Sequence, residues 1–144
     1  MNHARPGGTG GKTDGATVWN ISWTFKLHPS DSGCRITSFK TKTVIALTMP
    51  AWTAPSNAED ETKKSWARYY SALLRHEVGH ARIAQNAEAE IRKRVARIST
   101  TGKCSTLRKQ VDAVARDVIR EFRQRDIEYD RRTRHGAKDG AHFP

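Results

Sequence analysis

Trp66-Ala67-Arg68-Tyr69-Tyr70-Ser71-Ala72-Leu73-Leu74-Arg75-His76-Glu77-Val78-Gly79-His80 has the period of a helix and ends on a chemical signature. Trp66, Tyr69, Tyr70, Leu73 and Leu74 recur at spacings of three and four, so one stripe of the helix is apolar. His76 and His80 are four apart, which puts both imidazoles on one helical face about one turn apart, within reach of a single zinc ion. Glu77 points to the side of that pair, where a carboxylate can take a proton from a metal-activated water. The competing explanation is two ordinary exposed histidines on a charged helix; what surrounds the motif weighs against it.

Upstream, Ser56 or Asn57 can cap the helix, and Glu59, Asp60 and Glu61 suit the positive end of its dipole. Downstream the stripe continues through Ile83, Ala87, Ile91 and Val95 until Ser99-Thr100-Thr101-Gly102 stops it. A second helix follows, with Leu107, Val111, Val114, Val118 and Phe122 in register, and the short link predicts an antiparallel pair. Ahead of both helices, Thr17–Leu27 alternates, with Trp19, Ile21, Trp23, Phe25 and Leu27 on one face and Asn20, Ser22, Thr24 and Lys26 on the other. That is a half-buried strand. His28–Gly33 reads as a turn, and Cys34–Phe39 and Lys42–Met49 as further strands, the second a plausible edge for an extended peptide. The fold class is therefore α+β, a small N-terminal antiparallel sheet packed on two long antiparallel helices, with a tail broken by Gly136 and Gly140.

A chain of 144 residues supports one domain, placed at 16–144, with Met1–Gly15 as a flexible leader. That leader has no apolar core and so is not itself a signal peptide. No apolar run is long enough to span a bilayer. The net charge of +11 favours acidic partners such as nucleic acid or an anionic envelope polymer. Arg92, Lys93, Arg94 and Arg97, however, lie opposite Ile91, Val95 and Ile98, as on a solvated helix face, which argues against a dedicated nucleic-acid site. Cys34 and Cys104 have no metal-ligand spacing; by their positions alone, a disulfide and two buried thiols fit equally.

A catalytic zinc held by two histidines needs a third protein ligand and an open fourth position. A glycine three residues and a histidine six residues after His80 would complete the metzincin helix motif; Ile83 and Asn86 stand there, which excludes that class. If the helices turn back symmetrically about Ser99–Ser105, His80 faces about Gln124 and His76 about Glu128, so Glu121 and Glu128 pass near the metal as a gluzincin-type ligand does. His135 lies beyond the motif's level, and Gly136 allows the chain to return it. His142 is a minor candidate, and His3 and His28 read as solvent-exposed.

Trp66, Tyr69, Leu73 and His76-Glu77-x-x-His80, followed by Tyr129-Asp130-x-x-Thr133-x-His135-Gly136 and Gly140-Ala141-x-Phe143, resemble the bacterial DUF922 family, described as predicted secreted zinc-dependent proteases. Thr17-x-Trp19-x-x-x-Trp23, Cys34, Pro50-x-Trp52 and Cys104 extend the likeness from about residue 16 to the C-terminus. The resemblance implies a zincin-like minimal metallopeptidase with Zn2+ held by His76, His80 and His135. It also implies export to the periplasm or medium, with Cys34 and Cys104 paired. The implied activity is peptide-bond hydrolysis of a peptide or protein substrate, with Glu77 as general base. Tyr129 is the candidate oxyanion donor, against the alternative of a helix-end aromatic packing on the sheet. Asp130 is the candidate partner orienting a ligand histidine, against a helix-terminal surface carboxylate. Gly79 is expected to admit close packing beside the metal. Two rival functions keep the motif: a basic DNA- or envelope-polymer-binding module with a structural zinc, and a SprT-like DNA-associated protease.

Overall fold

A computed structural model describes residues 15–100 and 102–143; apart from Gly15, the leader expected at 1–15 lies outside the described residues. Among the described residues there are two strands and two long helices, β1 (Ala16–Ser30), β2 (Gly33–Thr48), α1 (Asp60–Val95) and α2 (Cys104–Thr133), then a 3-10 turn at Ala137–Asp139. The strands form one two-stranded antiparallel sheet, and with the helices this is the α+β class expected. The expected turn shrinks to Asp31 and Ser32, with Ser30 Oγ donating to the Gly33 carbonyl at 3.1 Å. Cys34–Phe39 and Lys42–Met49 fuse into the single strand β2, since Lys40 and Thr41 contain nothing that breaks extended chain.

By its contacts the chain forms two compact units. One comprises Trp19–Ile45 and Arg82–Arg125. Its core joins Trp19 and Ile21 of the ribbon to Ala84, Ala87, Ile91 and Val95 of α1 and Leu107, Val111, Ala115, Val118 and Phe122 of α2. Trp23, Phe25 and Leu27 pack against that core, so the alternation of β1 fulfils its expectation. Trp23 Nε1 donates to Asp112 Oδ1 at 2.8 Å, and the Arg123 guanidinium lies 3.6 Å over the face of the Trp19 ring. Cys34 and Cys104 form a disulfide that closes a separation of 70 residues.

The other unit comprises the described residues up to Val18, Ala46–Ala81 and the residues from Asp126 on. Here Trp66 gathers Trp52, Tyr69, Tyr70 and Phe143 at centroid separations of 5.4–6.3 Å, which fastens the C-terminal tail to α1. Tyr69, Ala72, Leu73, His76, Glu77 and His80 are its buried residues on α1. The apolar stripe of the sequence therefore leads directly into buried polar groups.

Candidate metal centre

Within this second unit, α1 supplies His76, Glu77 and His80, and the last two turns of α2 supply Asp126, Tyr129, Asp130 and Thr133. Residues four apart on one helix meet residues four apart on the other: His80 is opposite Asp126, and His76 is opposite Asp130. Beyond Thr133 the backbone turns left-handed at Arg134, His135 and Gly136, with φ of 50°, 55° and 86°. The helix stops there, with the His135 amide donating to the Asp130 carbonyl at 2.9 Å. Gly136 has a second reason to lack a side chain, because a Cβ would come within 2.9 Å of the His76 Cβ and 2.8 Å of its Cγ.

Three ligand-type atoms converge. His76 Nε2 and His80 Nε2 are 3.1 Å apart, and each is 2.9 Å from Asp130 Oδ1. The outer nitrogens of the two imidazoles are occupied. His80 Nδ1 lies 2.7 Å from Asp126 Oδ1, and an ionised carboxylate accepts, so Nδ1 carries the proton. His76 Nδ1 faces Thr133 Oγ1 at 3.4 Å. Thr133 donates its own proton to the Tyr129 carbonyl at 2.8 Å, which leaves its oxygen to accept from His76 and from the Gly136 amide. With a metal ion at the common point both rings would turn Nδ1–H outward and the Nε2 lone pair inward, the disposition second partners impose on metal-ligating histidines; with no ion there, an Nε2 can instead donate a proton to Asp130 Oδ1. Two Nε2 lone pairs and a carboxylate oxygen facing one point at these distances repel one another unless a proton or a metal cation lies between them. The two buried histidines and the partly buried Asp130 can therefore hold a divalent ion.

When no metal neutralises the site, a proton does so in part. Burial opposes charging His80, but the Asp126 hydrogen bond and the charges of Asp130 and Asp126 outweigh it and raise its pKa above the usual imidazole value. Tyr129 is pushed up as well, chiefly by burial and further by the charges of Asp139, Glu77 and Asp130, so its phenol stays neutral.

Glu77 is almost wholly buried, at 2% exposed. Its Oε2 accepts a 2.6 Å hydrogen bond from Thr17 Oγ1, so the start of β1 reaches the motif. The Tyr129 ring stacks on His76 at 4.8 Å and 9° and meets His80 edge-on at 4.8 Å, while its hydroxyl donates to the His76 carbonyl at 3.1 Å. This is possible because Gly79 has no Cβ; one built there would sit 2.1 Å from the Tyr129 oxygen.

The structure therefore brings His76, His80, Tyr129 and Asp130 together, and holds Glu77, next to His76 on α1, with its carboxylate against Thr17. It sets His135 at its edge, 54% exposed, with Nδ1 3.4 Å from the other oxygen of Asp130. Glu128 is outside the group and pairs on the surface with Arg131 at 2.8 Å; Glu121 pairs with Arg94 at 2.8 Å and Arg125 at 2.7 Å. The helices are offset by about two residues from a symmetric fold-back, which turns Asp126 and Asp130 inward instead. Thr17 and Thr133 carry part of the family resemblance in the sequence but had no role assigned to them, and Asp126 was not singled out at all.

Fold and site together define an α+β protein whose helix-borne histidine pair converges with an aspartate on a common point. The chain belongs to a family described as bacterial protein of unknown function (DUF922), whose model matches residues 1–136. No curated protein and no solved structure matches it.

Proposed function

We propose that this chain is a zinc-dependent metallopeptidase of zincin-like type, with His76, His80 and Asp130 as the protein ligands and Glu77 as general base. The observation that carries the reading is the convergence of two imidazole nitrogens and a carboxylate oxygen within 3.1 Å of one another, with each outer nitrogen facing a second partner. Atoms so close can all touch one ion with bonds of about 2.0–2.2 Å, and three protein ligands is the number a catalytic zinc site uses. Zinc bound there would supply Lewis acidity for a peptide carbonyl and would acidify a water.

The chain's own groups then have distinct tasks. Glu77, one residue along the helix from His76, accepts the proton of the attacking water and passes it to the leaving amine. Asp126 holds His80, and Thr133 holds His76, in the tautomer that ligates. His135 braces the outer oxygen of Asp130. Tyr129 has its hydroxyl committed to the His76 carbonyl, so we assign it to positioning the imidazoles rather than to the oxyanion. The Cys34–Cys104 disulfide suits an oxidising compartment, which supports export to the periplasm or medium. There the +11 charge would favour anionic envelope surfaces.

The test is cleavage of casein by chelator-stripped protein, by the same protein reloaded with zinc, and by zinc-loaded Glu77→Gln. Reloading should restore cleavage, and Glu77→Gln should bind zinc as tightly while cleaving about 10²–10⁴-fold more slowly. Equal cleavage by Glu77→Gln and wild type would remove the assigned mechanism.

A further inference from the structure

The general-base reading of Glu77 leaves open what fixes a carboxylate that can rotate about its own side chain. Its partner comes from sixty residues earlier: Thr17 Oγ1 donates to Oε2 at 2.6 Å and lies 3.1 Å from the Glu77 main-chain oxygen. Gly15 faces the same carboxylate. A Cβ built on it would stand 3.0 Å from Oε1, 3.2 Å from Cγ and 3.2 Å from a methyl of Leu73. Residues two apart in extended chain point to the same side, so Gly15 and Thr17 act on Glu77 as a pair. One fastens an oxygen, and the other keeps space beside its twin.

We propose that Gly15-Ala16-Thr17 is the positioning element of the general base. Thr17 fixes Oε2, so the proton of the attacking water goes to Oε1, the oxygen beside the residue without a side chain, and from there to the leaving amine. The hydrogen bond is part-buried, with its Glu77 end almost wholly out of water, conditions in which it holds geometry well. A misplacement near 1 Å in such a group costs about 10²-fold in rate, so loss of the hydroxyl should cost roughly 10- to 100-fold in kcat. This inference rests on the metallopeptidase reading above.

The test uses the full chain, zinc-loaded, as Thr17→Val, which keeps the shape without the hydroxyl, and Thr17→Ser, which keeps the hydroxyl. Three quantities are read: the rate of casein cleavage at saturating and limiting substrate, the affinity of acetohydroxamate by calorimetry, and zinc affinity by chelator competition. A hydroxamate chelates zinc and donates a hydrogen bond to a neighbouring carboxylate, so it senses the position of Glu77 without any substrate being turned over. Thr17→Val should lower kcat roughly 10- to 100-fold with KM unchanged and weaken acetohydroxamate several-fold. Zinc affinity should stay at its wild-type value, the melting temperature should fall by the several degrees that one lost hydrogen bond to a buried carboxylate implies, and Thr17→Ser should restore the losses. Wild-type kcat and hydroxamate binding in Thr17→Val would overturn the inference while leaving the metallopeptidase intact; so would a kcat loss matched by lost zinc affinity, or one that Thr17→Ser does not restore. Wild-type protein that neither cleaves casein nor binds acetohydroxamate would overturn the parent reading, and this one with it.

Discussion

Substituting alanine for Gly79 should reverse its effect on stability according to what stands at position 129. In an isolated helix the change is favourable by about 1 kcal/mol, because glycine loses more backbone freedom on folding. In this helix the new Cβ would lie 2.1 Å from the Tyr129 hydroxyl oxygen, 2.6 Å from Cζ and 3.0 Å from Cε1, where ordinary contact begins at 3.4 Å. The ring must withdraw by more than 1 Å. Withdrawal breaks the hydrogen bond to the His76 carbonyl, about 1 kcal/mol, and loosens the stacking on His76, about 0.5–1.5 kcal/mol. Overpacking adds roughly 1–3 kcal/mol. Set against the propensity gain, Gly79→Ala should destabilise by about 2–4 kcal/mol, which for a chain of this length lowers the melting temperature by roughly 5–15 °C.

In a Tyr129→Ala background the obstacle is gone, and the same Gly79→Ala change should stabilise by up to about 1 kcal/mol. The difference between the two backgrounds is the coupling energy of a double-mutant cycle, about 3 kcal/mol or more, well above the few tenths expected of independent sites. Urea denaturation of the four zinc-free, disulfide-intact proteins measures it. If Gly79→Ala has the same sign in both backgrounds, the account of the glycine as the seat of Tyr129 is wrong.

Four further outcomes are expected. Asp126→Asn should weaken zinc binding about 10- to 100-fold in chelator competition, because His80 loses the carboxylate that sets its tautomer. Asp130→Ala should weaken zinc binding by far more than His135→Ala; the opposite order would return His135 to the ligand set. Reducing the Cys34–Cys104 bond, which closes 70 residues, should destabilise the fold by about 4 kcal/mol in the chain-entropy model, read as a shift of the urea midpoint. Glu88 has its pKa lowered, first by the Thr41 hydrogen bond of 2.5 Å and further by Arg92, so its ionised form is favoured by folding. That contribution is present above the unfolded carboxylate pKa and lost as pH falls through the folded one; Glu88→Gln should be less stable than wild type near neutrality and converge with it in acid.

The fold was legible where residues repeat with a period. Trp19, Ile21 and Trp23 alternate, and Leu107, Val111, Val114 and Val118 step by three and four, so burial follows from the pattern alone. The disulfide was not legible from position, because nothing local relates Cys34 to Cys104; only the likeness to a family tied them together. Thr17 left a signal that went unread. It shares the parity of Trp19, Ile21 and Trp23, and a hydroxyl on an inward-facing strand position requires a partner. A strand pattern states that such a partner must exist but does not say which residue, sixty positions on, will be it.

The third vertex of the site shows what would have decided the matter. A symmetric fold-back puts Glu128 opposite His76, and a register of two antiparallel helices argued from loop symmetry carries an error of a few residues, enough to turn a different face inward. Matching spacings carry no such error. His76 and His80 are four apart, and so are Asp126 and Asp130; on antiparallel helices only one register sets both pairs face to face at once, and it is the one observed. Sliding α2 by one residue would remove both carboxylates from both imidazoles, whereas Glu121 and Glu128, seven apart, can match at most one histidine in any register. The two aspartates thus match the register that the apolar core sets and complete the candidate metal group by the same geometry, so a variant that shifts Asp130 along α2 should lose zinc affinity.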